Sequence, residues 1–356
     1  MEKIKVLVVD DSALMRKIIS DMINEENDME VVYTARNGED LLTKLPKTMP
    51  DVITLDVEMP KMDGITALKE LKKLNFNIPV IVLSSISQRG PELTMECLAA
   101  GAFDFLPKPS GTISLDINKV KEGLVQKIRL ANQKKISLQQ YKAVCNTVMI
   151  ERSQVEVKTI KRVSFDKIEA VVIGASTGGP KALYTVITAL PERLCVPVFV
   201  VQHMPVGFTK AFAERLNSNS KIKVVEASDG MLIEKDTVYI APGGFHMEIG
   251  QNERIHLNSE PTLWGVRPAA DKLFISAAKI YGSRTISVVL TGMGRDGAQG
   301  TVEIKKSGGI TIAEDKSTCT IYGMPKAAYE TGMVDIVLPI DNIANEIIKQ
   351  CQLNRG

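Results

Sequence analysis

Residues 170–180, Ala-Val-Val-Ile-Gly-Ala-Ser-Thr-Gly-Gly-Pro, constrain this chain more than any other stretch. Four apolar residues read as a buried strand and Gly174 opens a tight turn with Ser176 at its tip. Gly178, Gly179 and Pro180 then lead into a helix over Lys181–Leu190. Such a corner has two chemical uses. Amides at the helix N-terminus can cradle a phosphate or another anion, or the serine hydroxyl can attack a carbonyl while a similar amide holds the oxyanion.

The same strand-then-helix alternation runs through most of the chain. Apolar runs at Val6–Asp10, Val31–Ala35, Val52–Leu55, Val80–Leu83 and Phe103–Leu106, with helical patterns between them, predict a doubly wound parallel sheet. From Ile168 a second, independent parallel sheet is expected from Ala170–Gly174, Val196–Gln202, Val238–Ala241, Ile286–Leu290, Gly309–Ala313 and Ile336–Leu338. Val224–Ala227 and Met247–Gln251 are shorter candidates, with an antiparallel edge over Met247–His256. The fold class is therefore α/β, two doubly wound, mostly parallel-sheet domains joined by a linker, and 356 residues suit two such cores.

In an open parallel sheet, ligands sit at the carboxyl ends of the strands. In the first sheet Asp10 and Asp11 end one strand, Asp56 another, Ser84 a third, and Lys108 follows the last. Three carboxylates gathered in a partly desolvated cleft repel one another unless a cation joins them, and a hard, oxygen-seeking Mg²⁺ is the natural candidate. One such aspartate alone would read as a helix cap or a solvated loop residue; five polar residues at strand ends do not.

In the second sheet Ser176 needs a general base, and the chain has three histidines. His203 ends the strand expected beside that of Ser176, His246 lies in Pro-Gly-Gly-Phe-His, and His256 sits in an alternating strand where a surface role is the default. His203 is the leading base and His246 the alternative. Asp296, just beyond an apolar strand in Thr-Gly-Met-Gly-Arg-Asp-Gly, is the candidate carboxylate to orient it. Gly174-x-Ser176-x-Gly178 formally matches the α/β-hydrolase elbow, but the chain order Ser, His, Asp is not that of those enzymes.

Composition excludes several classes. Hydrophobic residues make up 44% and charged residues 24%, and the net charge of +2 suits neither a nucleic-acid binder nor a solvating acidic chain. Five scattered cysteines without CxxC spacing point to reduced thiols in a cytoplasm, and no apolar run reaches the length of a signal core or a membrane span. Residues 116–133 keep helical spacing. From Ala131 to Arg162 seven Lys or Arg stand against two Glu without periodicity, which reads as a solvated linker.

Val-Asp-Asp-Ser, Asp-Val-Glu-Met-Pro-Lys-Met-Asp-Gly, Ser-Ser and Lys-Pro resemble a response-regulator receiver domain. The resemblance implies a flavodoxin-like fold with Asp56 as phosphoacceptor. Mg²⁺ would be held by Asp10, Asp11, Asp56 and the backbone carbonyl of Glu58, while Ser84 and Lys108 would turn to the phosphoryl group.

Gly-Ala-Ser-Thr-Gly-Gly-Pro, Gln-His-Met-Pro-Val-Gly-Phe-Thr, Ile-Ala-Pro-Gly, Leu-Thr-Gly-Met-Gly-Arg-Asp-Gly-Ala and Tyr-Gly-Met-Pro resemble the chemotaxis response-regulator methylesterases. That resemblance implies a receiver over 1–125, a linker over 126–166 that starts within a helix, and a Rossmann-like catalytic domain over 167–356. It also implies hydrolysis of glutamate γ-methyl esters and deamidation of glutamines on methyl-accepting chemotaxis receptors. Ser176, His203 and Asp296 would do the chemistry, with the amides of Thr177 and Met293 as oxyanion donors and no cofactor. Expected partners are the receptors and a chemotaxis histidine kinase, with no nucleic acid and no membrane insertion, in a cytoplasmic monomer. The unphosphorylated receiver would restrain the esterase. Trp264-Gly265-Val266, where a polar Asn-x-His stretch is expected, and Lys326, where arginine is usual, depart from the family pattern.

Two readings from other classes compete: a phosphate- or nucleotide-binding module at Gly174–Gly179, and a DNA-binding output domain, for which residues 168–356 are too long, too strand-rich and too weakly basic.

Overall fold

A computed structural model describes residues 2–85, 87, 89–108, 118, 120–133 and 167–352. The chain divides into two compact units, Met1–Gln154 and Val155–Gly356.

In the first unit the chain alternates β1 (Ile4–Val9), α1 (Ala13–Asn24), β2 (Met29–Ala35), α2 (Gly38–Thr48), β3 (Val52–Asp56), α3 (Gly64–Lys73), β4 (Val80–Ser84), α4 (Gly90–Ala100) and β5 (Asp104–Pro107). A helix over 120–133, α5, follows. The parallel sheet has the order β2-β1-β3-β4-β5, the flavodoxin-like arrangement. Val6 to Val9 are wholly buried, which is why β1 reads as an unbroken apolar run. Ser12, Asn37 and Asp63 cap α1, α2 and α3 by accepting from backbone N–H groups two or three residues into each helix. Leu124, Val125, Ile128 and Ala131 of α5 pack with Val6, Val8, Ile19 and Ile23. The first residues of the expected linker therefore belong to this core, and its remainder, 134–166, lies outside the described residues.

The second unit comprises β6 (Ala170–Ala175), α6 (Gly179–Thr188), β7 (Val198–Gln202), α7 (Phe208–Asn219), β8 (Lys223–Glu226), β9 (Thr237–Ile240), β10 (His246–Ile249), β11 (Ile255–Asn258), α8 (Ala270–Tyr281), β12 (Thr285–Val289), α9 (Ala298–Lys306), β13 (Ile310–Glu314), α10 (Met324–Glu330), β14 (Ile336–Leu338) and α11 (Ile340–Gln352). Seven strands form a parallel sheet in the order β14-β13-β12-β6-β7-β9-β8. From β6 the chain first builds outward through β7 and then returns to lay β12 on the opposite flank, so the strand order reverses at β6. The central strands β6, β7 and β12 are buried along their whole length, as helices on both faces require.

The expected antiparallel edge over Met247–His256 is not an edge. β10 and β11 form a separate two-stranded antiparallel sheet, and the edges of the large sheet are β14 and β8. The apolar side chains decide this: Met247, Ile249 and Ile255 are buried with Leu273, Phe274 and Ala277 of α8, and the Ile249 N–H donates to Ser276 Oγ at 3.0 Å. Among the described residues no helix is long and apolar enough to cross a membrane, and Cys97 is a buried free thiol.

Candidate active site

β6 and β7 pair in parallel with Ala175 opposite Gln202, so Ser176 and His203 leave the sheet together at the same end. The His203 N–H donates to the Ala175 carbonyl at 3.1 Å, which ties the two strand ends. On the other flank β12 pairs with β6 as far as Val289 opposite Gly174, and the Ser176 N–H donates to the Thr291 carbonyl at 3.0 Å. Gly292 then passes so close that a Cβ there would stand 2.8 Å from Ser176 Cβ, a spacing that only glycine permits. The serine thus sits where the strand order reverses, the position at which open parallel sheets leave a crevice.

His203 Nε2 lies 2.7 Å from Asp296 Oδ2. The same oxygen accepts from the Ala270 N–H at 2.6 Å, and Oδ1 accepts from the N–H groups of Asp271 at 2.9 Å and Gly297 at 3.0 Å. Asp296 therefore caps the N-terminus of α8 from outside, where orphan amides and the helix dipole favour an anion. Burial by itself would push this carboxyl up; the hydrogen bond and charge of His203, with the two α8 amides, outweigh it and hold the carboxyl below its ordinary value. A carboxylate with four donors accepts only, so Nε2 of a neutral His203 carries the proton and Nδ1 is left as the basic nitrogen. Among the described residues no hydrogen bond joins the Ser176 hydroxyl to His203. Such bonds often tighten only when substrate binds.

The backbone supplies donors beside the serine. Among the described residues the Thr177 and Met293 amides have no acceptor within the protein. The Gly292 carbonyl accepts from the Gly323 N–H at 3.1 Å and the Met324 N–H at 2.8 Å. Because a trans peptide is planar, those bonds point the Met293 N–H the opposite way.

The other two histidines are placed differently. His246 is wholly buried: its Nδ1 accepts from the Ala269 N–H at 3.2 Å and its Nε2 faces the Pro261 carbonyl at 3.1 Å, so both nitrogens are spent on the loop that precedes α8. His256 is exposed, with Nδ1 at 3.4 Å from Asp229.

In the first unit Asp10, Asp11 and Asp56 each present a carboxylate oxygen, all within 4.8 Å of one another. The Lys108 ammonium lies 2.7 Å from both Asp10 Oδ2 and Asp56 Oδ2. Burial pushes the Asp56 carboxyl up to about 6 against the opposing pull of Lys108, and the Asp10 charge adds to the rise. Three converging oxygen donors of this kind suit a hard divalent cation. Glu58 spends its side chain on Ser85 Oγ at 2.8 Å and Ser87 Oγ at 3.3 Å, and among the described residues its carbonyl accepts no backbone bond. The Ser84 hydroxyl is not directed at Asp56; it donates to the Gly90 carbonyl at 3.1 Å, at the start of α4.

Residues 171–347 match the family described as CheB methylesterase, and residues 6–117 match the response regulator receiver domain. A protein-glutamate methylesterase/protein-glutamine glutaminase of Clostridium acetobutylicum is 59% identical, over 98% of both chains. One from Pyrococcus abyssi is 46% identical over 99% of this chain and 95% of its own. The chain belongs to the protein-glutamate methylesterase family. The crystal structure of the Thermotoga maritima CheB methylesterase catalytic domain resembles it with a TM-score of 0.50 at 47% identity, covering 52% of this chain and 99% of that domain. The methylesterase match falls on the unit that carries Ser176, and the receiver match on the unit that carries Asp56.

Within this methylesterase fold the reading from sequence passed over one group. Asp271 Oδ1 accepts from the Gly300 N–H at 2.7 Å and Oδ2 from Trp264 Nε1 at 2.8 Å. Burial pushes the Asp271 carboxyl up against the pull of the Gly300 amide, and the Asp296 charge adds to the rise. The indole also carries the Arg295 guanidinium, 4.7 Å from its ring centroid, and with Gln299, Ala327 and Glu330 this pair lines a cleft of ≈ 600 Å³. The departure from the family pattern at Trp264 is thus joined to the helix end that holds Asp296. The signal available in sequence was the lone tryptophan of the chain in a stretch where a polar one is usual. Lys326 lies 3.6 Å from Glu330, one turn along α10.

Proposed function

We propose that this chain is a phosphorylation-activated serine hydrolase that releases methanol from glutamate γ-methyl esters, and ammonia from specific glutamines, on methyl-accepting chemotaxis receptors. The observation that carries the reading is the 2.7 Å pairing of His203 Nε2 with a buried, four-fold hydrogen-bonded Asp296 beside the Ser176 corner. A module that only binds phosphate would need neither group.

Ser176 Oγ attacks the γ-carbonyl carbon and its proton passes to His203 Nδ1. The oxyanion meets the amides of Thr177 and Met293, which need no reorganisation at that moment. As the tetrahedral intermediate collapses, His203 returns the proton to the leaving oxygen and methanol departs; from a glutamine the leaving group is ammonia. Water then adds to the acyl-enzyme and gives its proton to His203. Ser176 takes that proton back as the carboxylic acid leaves, and the acid gives its remaining proton to water to become the free carboxylate. Asp296 holds the imidazole with Nε2–H inward and stabilises the imidazolium.

The receiver, continued by α5, would be joined by the rest of the expected linker to the hydrolase, over 167–356. Asp56 is its phosphoacceptor: the carboxylate attacks the phosphorus of a histidine-kinase phosphohistidine, and the imidazole leaves. Asp10, Asp11, Asp56 and the Glu58 carbonyl would hold Mg²⁺. When bound, the ion neutralises phosphoryl charge. Lys108 pairs with a phosphoryl oxygen, and Ser84 leaves Gly90 to do the same, which shifts the population of the β4–α4 junction. The protein acts in the cytoplasm as a monomer.

The test is methanol release from a methylated receptor peptide. Ser176→Ala and His203→Ala should each lower kcat by at least ~10³-fold, and full activity in either variant would overturn the assignment.

A further inference from the structure

We propose that Gln202 is the positioning residue of the oxyanion hole: its side-chain amide fixes the Ser176–Thr177 peptide, and with it the direction of the Thr177 N–H. The inference rests on the serine-hydrolase reading above.

Gln202 is the last residue of β7 and is 2% exposed. Its Nε2 donates to two carbonyls, that of Ser176 at 3.0 Å and that of His203 at 3.1 Å. One NH₂ group thus joins the peptide of the nucleophile to the peptide of the base. The Ser176 carbonyl also accepts from the Gly179 N–H at 2.7 Å. In a planar trans peptide the carbonyl of one residue and the N–H of the next point in opposite directions. Donors that hold the Ser176 carbonyl therefore aim the Thr177 N–H to the other side, where it has no acceptor among the described residues. Donation to the carbonyl also polarises the peptide and strengthens its N–H as a donor. The Met293 amide is held by the same device, but there both donors are backbone groups. At Thr177 a side chain does half of the work, which makes it open to substitution.

A second observation points to function rather than packing. Among the described residues Gln202 Oε1 is buried with no hydrogen-bond partner. Orphaned buried acceptors are rare in folded proteins and mark places where something other than stability sets the arrangement. The oxygen is jammed against the start of α6: a Cβ on Gly179 would stand 2.0 Å from it. The strand end and the helix start together leave the amide one orientation, with both hydrogens on the two carbonyls.

The experiment measures the rate at which a fluorophosphonate modifies Ser176 in the full chain, alongside steady-state hydrolysis of a small glutamate methyl ester. In the modification the serine oxygen bonds to phosphorus, fluoride leaves, the proton passes to His203, and the phosphoryl oxygen occupies the oxyanion hole. Gln202→Met keeps the length of the side chain and removes both donors; Gln202→Glu turns acceptors on the two carbonyls. Modification of Gln202→Met should slow by about 10-fold or more, with kcat falling in proportion and KM changing by less than about two-fold, and Gln202→Glu should be slower still. In Gln202→Met the acidic limb of the kcat/KM profile should not move, because no charge is added beside the His203–Asp296 pair.

A merely structural role would lower the melting temperature while leaving the rate per active site as in the wild type, and that result overturns the proposal. If Gln202→Met does not fold, Gly179→Ala displaces the same amide from the helix side: a slowed rate supports the proposal, and a wild-type rate contradicts it. A wild type that is not modified at Ser176 would contradict the hydrolase reading itself. Equal modification of wild type and variants contradicts only the role of Gln202.

Discussion

At Asp296 four donors converge on two oxygens, a set that its own amide cannot satisfy. An asparagine offers one acceptor and one NH₂, so the NH₂ must face a donor. Asp296→Asn is expected to lower kcat by about 10²–10⁴-fold and to cost about 1–3 kcal/mol of stability at neutral pH. The pH dependence follows from the sign of the shift. The folded carboxyl is held below its unfolded value, so its contribution is complete above about pH 4–5 and is lost as the pH falls through the folded value. The stability gap between wild type and Asp296→Asn should therefore narrow from pH 6 to pH 3 in urea titrations followed by Trp264 fluorescence, the only indole in the chain. A constant gap would contradict the assignment. The placing of Ser176, His203 and Asp296 beyond strand ends was legible because each follows an apolar run. Asp271 and Trp264 were not, because a carboxylate inside a helix and a loop indole carry no pattern that announces a mutual hydrogen bond.

At the scale of elements the long buried strands were the clearest signal, since helices on both faces demand unbroken apolar runs. Strand ends shifted by a residue or two. The β10–β11 hairpin was misplaced because alternation reports one buried face and is silent on what covers it; α8 covers it here. That helix is the hub of the second unit. Phe274 is wholly buried in its middle, and a Cβ on Gly300 of α9 would stand 2.4 Å from the Phe274 Cβ. Phe274→Ala leaves a cavity under the helix whose first amides hold Asp296, so it should destabilise the second unit by about 3–5 kcal/mol, read from the Trp264 unfolding transition. A change below about 1 kcal/mol would show that the site collapses around the loss.

For the whole molecule, two sheets of the same class carry different chemistry at the same structural place, the carboxyl ends of their strands. The first holds carboxylates and an ammonium, suited to a phosphoryl group; the second holds a hydroxyl, an imidazole and free amides, suited to an acyl group. That each sheet gathers its own set of polar residue types at its strand ends was readable from the sequence; the stretch between the two domains gave no such signal, because its composition has no period. If the receiver restrains the hydrolase, removing residues 1–133 should raise basal esterase activity, and a fall or no change would count against restraint.

The most direct test of control by phosphate at a distance is methanol release from methylated receptor membranes, with and without a small phosphodonor and Mg²⁺, in wild type and Asp56→Asn. The phosphodonor should accelerate release in wild type, leave Asp56→Asn at its basal rate, and do nothing in Ser176→Ala. Acceleration that persists in Asp56→Asn, or none in wild type, would contradict such control.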